Sequence, residues 1–212
     1  MSRGRMCGWV REQDGHRRAF GGMYPMGTTT QQSVRADLVI RPLGPQDEGA
    51  VRALHEHLTE HDTYMRFFTV APRHVDELVE MLCRQDDRHV SLGAFDDGTV
   101  VGVANYTVLD PDPGSASDGV SAECAVAVSH PMQHHGIGTA LLQRLVGIAW
   151  AHGIRHLSAF VLSENTTMLQ VLRDMGWSRN GSAPGPIVEV KITLADARSD
   201  GGFTASVDRS AP

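Results

Sequence analysis

The segment QHHGIGTALL, residues 133–142, constrains this chain more than any other stretch. It sets a glycine-rich loop between an apolar strand-like run, AECAVAV (122–128), and a long apolar helix-like run, GTALLQRLVGIAWAHGI (138–154). Strand, glycine loop and helix in that order leave backbone amides bare at a helix N-terminus. There the partial positive charge and the lack of side chains suit a diphosphate. Three phosphate-loop patterns compete. A Walker loop requires a lysine directly after its last glycine, and Thr139 follows Gly138. A dinucleotide fingerprint requires a small residue three past the second glycine, and Leu141 stands there. The pattern [Q/R]-x-x-G-x-[G/A] fits at Gln133, Gly136 and Gly138. An ordinary strand-to-helix turn fits the loop by itself equally well.

The surrounding periodicity sets the fold class. DLVIRPL (37–43) has the β-branched character of a strand, and Ala50, Val51, Leu54 and Leu58 recur at helical spacing between Gln46 and His57. HDTYMRFFTV reads as an apolar-aromatic bridge, and PRHVDELVEMLCR (72–84) as a second helix. HVSLGAF and VVGVANYTVL around DDGT read as a hairpin, LDPDPGSASDG as a loop. Beyond the glycine loop come a helix to about His152, the strand HLSAFVL, a helix closed by Gly176, and the strand IVEVKITL. The predicted order is β-α-α-β-β-β-α-β-α-β, an α/β (α+β) sheet with parallel and antiparallel neighbours and about four helices.

The 212 residues suffice for one domain. Residues 1–36 read as a flexible arm, 37–195 as the folded unit and 196–212 as a flexible tail. A net charge of −6 excludes a general nucleic-acid or membrane-surface binder. No apolar run approaches the ~18 residues of a spanning helix, and the basic N-terminus lacks the apolar stretch of a secretory signal. Cys7, Cys83 and Cys124 are odd in number and widely spaced, which fits a reducing cytoplasm rather than disulfides or zinc.

Taken together, the strand AECAVAV, the glycine loop with its helix, and SENTTMLQVLRDMGW resemble the GNAT superfamily of N-acetyltransferases. The last segment is similar to that family's N-x-x-[AM]…G-[FW] signature. The resemblance runs from about Asp37 to Leu194. IRPLGPQDEGAVRALHEHL and TYMRFF further resemble the bacterial Pat-type protein lysine acetyltransferases, without room for the extra domain that some of them carry. This likeness implies a GNAT fold, a mixed and mostly antiparallel sheet splayed at the cofactor site, and acetyl-CoA as cosubstrate. It implies that the strand segment Val126, Ala127 and Val128 pairs with the pantetheine arm as an added strand would. It also implies that the amides of Gln133, His134, His135, Gly136, Ile137, Gly138 and Thr139 hold the diphosphate, and that Asn165 lies near the pantetheine or the thiol. On this reading His134 and His135 are loop passengers, His57 and His61 are surface residues, and no metal is expected.

Acyl transfer to an amine needs a group that takes the amine's proton. Glu123 stands among small uncharged neighbours on the strand that leads into the loop, where desolvation would raise its pKa. In the Pat-type relatives a glutamate at this strand position is the general base, and Glu123 matches it. A surface glutamate at a strand end is the plain alternative. Many family members carry a tyrosine general acid where this chain has Leu172, so the thiolate leaves unaided or another group, such as Tyr106, donates. Cys124, next to Glu123 on the strand, is expected to face the other way and pack as a small hydrophobe. The implied acceptor is protein lysine, with a small-molecule amine or a non-catalytic acyl-CoA sensor as alternatives. The expected state is a monomer or a homodimer.

Overall fold

The computed structural model describes residues 38–69, 74–84, 86–110, 119–180 and 185–194. The expected arm 1–36, the tail 196–212 and most of the loop 109–119 lie outside the described residues. Seven strands form one sheet: β1 (Val39–Pro42), β2 (His89–Asp96), β3 (Thr99–Val108), β4 (Val120–Val128), β5 (Ile154–Leu162), β6 (Ser178–Arg179) and β7 (Ile187–Thr193). Their spatial order is β1-β2-β3-β4-β5-β7-β6. Every neighbouring pair is antiparallel except β4 and β5, which are parallel. Among the described residues five α-helices flank the sheet: α1 (Glu48–Glu56), α2 (Glu60–Phe67), α3 (Val75–Cys83), α4 (Ile137–Ala151) and α5 (Thr166–Asp174).

The stretch read as an apolar-aromatic bridge is corrected: α2 occupies most of it. Thr59 caps it: its Oγ1 accepts from the Asp62 amide at 3.0 Å, and Glu60 and Asp62 fill the first turn, favouring the positive end of the helix dipole. β6 also went unpredicted. The remaining elements fall within a few residues of their expected places.

Local chemistry explains the turns that hold this order. The β2–β3 turn puts Asp97 and Gly98 at φ +46° and +76°, the paired left-handed residues that a two-residue hairpin demands. α5 ends at Gly176, φ +84°, with the Trp177 amide donating back to the Leu172 carbonyl at 2.9 Å. Val103 and Ala104, neighbours on β3, enter different cores. One core packs α4 on the sheet through Leu141, Leu142, Leu145 and Ala149, each at most 2% exposed. The other packs α1 and α3 against β2 and β3 through Val51, Leu54, Val79 and Leu82. No helix among the described residues is long and apolar enough to cross a membrane.

One buried base makes a testable contribution to stability. His55 on α1 is 6% exposed, and its Nδ1 donates to the Val51 carbonyl at 2.8 Å. Burial pushes its pKa below the ordinary 6.5, against the pull of that carbonyl and with a smaller push from Arg66. The unfolded chain therefore binds a proton near pH 6.5 that the folded chain binds only at lower pH, so folding stability falls as pH drops through that window. The slope from this one proton is at most about 1.4 kcal/mol per pH unit. Denaturant titrations between pH 7.5 and 5 should give a shallower pH dependence for His55→Gln than for the natural chain. Parallel curves would mean that His55 protonates equally in both states.

Candidate active site

The two parallel strands separate along their length. β4 pairs with β5 from Val120↔Ile154 to Glu123↔Ser158 and no further, while β5 stays paired with β7 through Leu162. The rest of β4 keeps only β3 as neighbour. The Ser129 amide donates to Val101 O and the Leu109 amide to Ser121 O, both at 2.9 Å, so the odd-numbered residues of β4 turn their backbone groups toward β3. By the antiparallel alternation, Val126 and Val128 turn theirs into the gap. A cavity of about 650 Å³ fills this gap. Glu123, Val126, Ala127, Val128, Gln133, His134, Gly136, Ile137, Gly138, Thr139 and Asn165 all line it. His135 does not: it is exposed, with its ring Nδ1 2.6 Å from the Gln133 carbonyl.

The loop at one end of the cavity is built to present amides. His134 and Gly136 both adopt left-handed backbone, φ +61° and +77°. Left-handed residues next to right-handed ones turn successive N–H groups toward a common point, an anion-binding arrangement. Gly136 caps α4 without a side-chain hydrogen bond, so the first-turn amides of Ile137, Gly138 and Thr139 have no intrahelical acceptor. A Cβ built on Gly138 would have only Val128 Cγ2, at 3.7 Å, as a neighbour. His134 is a non-glycine residue held left-handed, which costs roughly 1–2 kcal/mol.

At the other end stands Glu123, the last residue of β4 that β5 pairs. It is exposed, open to the cavity and not enclosed by its small neighbours, which corrects the expected desolvation. The described charge that meets it comes from α2. Arg66 lines the same cavity, half-buried, with Nη2 donating to Asn105 Oδ1 at 3.5 Å and its guanidinium 4.9 Å from the Phe67 ring. Burial pushes the Arg66 pKa down to about 10, and the Glu123 carboxylate pulls the other way. Sequence reasoning missed Arg66 because it missed the helix that carries it.

Cys124 is 3% exposed in the core, and burial pushes its thiol up to about 12, with Glu123 adding to the rise and Arg66 opposing it. A thiol so held stays protonated and is a poor nucleophile. Tyr106 is no acid for a leaving thiolate: it is 1% exposed, does not line the cavity, and its hydroxyl meets His152 Nδ1 at 2.8 Å at the far end of α4. Leu172 lines the cavity as an apolar surface. Asn165 caps α5, its Oδ1 accepting from the Met168 amide at 3.1 Å. Among the described residues no group of three His, Cys, Asp or Glu side chains is placed to hold a metal ion.

The sequence profile of the Acetyltransferase (GNAT) family matches residues 51–177. The chain belongs to the GNAT acetyltransferase family. This GNAT enzyme is similar to the GNAT domain of S. lividans PAT, at 27% identity and a TM-score of 0.66 over 73% of this chain and 89% of that one. It is also 27% identical over 148 residues to the phosphinothricin N-acetyltransferase of Streptomyces viridochromogenes, covering 70% of this chain and 78% of the relative. The fold of yncA from Salmonella typhimurium, solved with its cofactor acetyl-CoA, matches at a TM-score of 0.59 and 19% identity over 80% of this chain and 99% of that one. The mixed seven-strand sheet and its parted central strands are thus the GNAT fold.

Proposed function

We propose that this GNAT N-acetyltransferase uses acetyl-CoA to acetylate a primary amine, with Glu123 as general base. One observation carries the reading: Glu123 is the residue at which β4 and β5 part, and it lines the same cleft as a loop of bare amides. The amides of residues 133–139 would hold the diphosphate, the backbone of Val126 and Val128 would pair with the pantetheine arm, and Asn165 would border it on the α5 side. Bound acetyl-CoA supplies the activated acetyl thioester. Glu123 takes a proton from the ammonium, and the freed lone pair attacks the thioester carbonyl, with the backbone N–H near Val126 as donor to the oxyanion. The C–S bond then breaks, CoA leaves as the thiolate, and solvent protonates it.

Protein lysine is the acceptor we favour, because of the likeness to the Pat-type group and the similarity to the GNAT domain of S. lividans PAT. The similarity to a phosphinothricin N-acetyltransferase supports a small-molecule amine as second reading. An acyl-CoA sensor has no use for a carboxylate open to the cleft. The buried free thiols of Cys83 and Cys124 are consistent with a reducing cytoplasm. Incubation with labelled acetyl-CoA and, separately, with protein lysates and a panel of small amines tests the reading. Label should pass to lysine side chains. Label on a small amine only would select the second reading, and no transfer to any amine would contradict both.

The domain that performs this chemistry is proposed as 37–195. A chain beginning at Asp37 should keep its thermal transition and bind CoA as the full chain does. A loss of either, by scanning calorimetry or titration, would make residues 1–36 part of the working domain.

A further inference from the structure

We propose that Asp62 on α2 is a positioning residue that holds the amide loop in its binding conformation by clamping Gln133. The inference rests on the reading that this loop receives the diphosphate. Four hydrogen-bonding groups meet at the Asp62 carboxylate and its partner. Gln133 Nε2 donates to Asp62 Oδ1 at 2.8 Å and to the Val128 carbonyl at 3.2 Å, so one side-chain amide joins α2 to the end of β4. Thr59 Oγ1 donates to Asp62 Oδ2 at 2.6 Å, and His130 Nδ1 stands 3.2 Å from the same oxygen. The side chain of Asp62 is only 10% exposed. Burial works to raise its pKa, but the bonds from Thr59, Gln133 and His130 together hold it below the ordinary carboxylate range.

A carboxylate beside a site for a polyanion would repel the ligand if it were unpaired. Here its oxygens are turned onto donors of the protein, and the charge serves as an anchor. What it anchors is the residue immediately before His134, the first left-handed position of the loop. A loop with left-handed His134 and Gly136 is not the conformation that an untethered chain prefers. Only the fraction of molecules already in that conformation binds at full affinity. The clamp keeps that fraction high. It also ties the loop to the helix that brings Arg66 and His61 to the cavity, so the two ends of the cleft share one support.

The test uses the full chain with Asp62→Ala, Gln133→Ala, the double variant and Asp62→Asn. Titration with CoA should give about tenfold weaker binding for each single alanine variant. The double variant should lose no more than either single one, because both cut the same tie. Asp62→Asn keeps an oxygen for Gln133 and should bind within about threefold of the natural protein. Gln133→Ala leaves the Thr59 cap of α2 untouched, so it reports on the clamp even if Asp62→Ala folds poorly. With an identified acceptor, Asp62→Ala should raise KM for acetyl-CoA at nearly unchanged kcat. It should process S-acetylpantetheine, which lacks the diphosphate, as the natural protein does. Full CoA affinity in Gln133→Ala, or losses that multiply in the double variant, would overturn the clamp while the loop reading stands. A natural protein that binds CoA no better than pantetheine would overturn the loop reading, and the clamp with it.

Discussion

Glu123→Gln is expected to leave acetyl-CoA affinity nearly intact and to cut turnover at neutral pH by about 10²–10⁴-fold, the usual contribution of a positioned acid–base group. The substitution keeps size and hydrogen-bonding capacity but removes the group that takes the proton. A lysine amine, with a pKa of about 10.4, arrives almost wholly protonated at pH 7, and a thioester held in the cleft does nothing to relieve that. Glu123 sits where β5 stops pairing with β4 and is open to the cavity, so an amine can reach it beside the acyl group. The residual rate of the variant should climb as pH approaches the amine's own pKa, where solution supplies the free base. A pH–rate profile of both proteins with an identified acceptor is the measurement. Natural turnover in the variant at neutral pH would make Glu123 structural.

Gly138→Val is expected to weaken acetyl-CoA binding by more than tenfold while the protein stays folded. Gly138 lies in the first turn of α4, where three amides have no acceptor inside the helix. Its backbone is not left-handed, and a Cβ there makes only an ordinary contact with Val128 Cγ2 at 3.7 Å. The fold therefore tolerates a side chain, and the space it fills is the approach to the amides. Calorimetric titration with CoA, alongside a thermal scan, separates the two effects. A folded variant with unchanged affinity would remove the diphosphate from this loop. Gly136 is the less informative position, because at φ +77° any side chain strains the backbone whatever binds.

What the sequence conveyed and what it withheld differ in range. β4, the glycine loop and α4 are legible because each has a local cause: a strand-length apolar run, a glycine pattern, and apolar residues at helical spacing. α2 carries a local signal that could have found it, Thr59 with an acidic residue three places on, but its eight residues are too few to establish a period against an aromatic run. β6, with two residues, has no period at all. The side-chain partnerships were beyond reach. Arg66 meets Asn105 across 39 residues, Tyr106 meets His152 across 46, and Gln133 meets Asp62 across 71. Each depends on which helix end lies over which strand, which no local pattern encodes. For Glu123 the strand position was readable but its surroundings were not, since exposure to the cavity follows from the parting of two strands.

The most direct measurement of the account is a crystal structure of this protein with acetyl-CoA. The account predicts the diphosphate on the amides of residues 133–139, the pantetheine arm hydrogen-bonded to the backbone of Val126 and Val128 between β4 and β5, and the thioester beside the Glu123 carboxylate. A diphosphate bound away from the loop, or a thioester out of reach of Glu123, would contradict it.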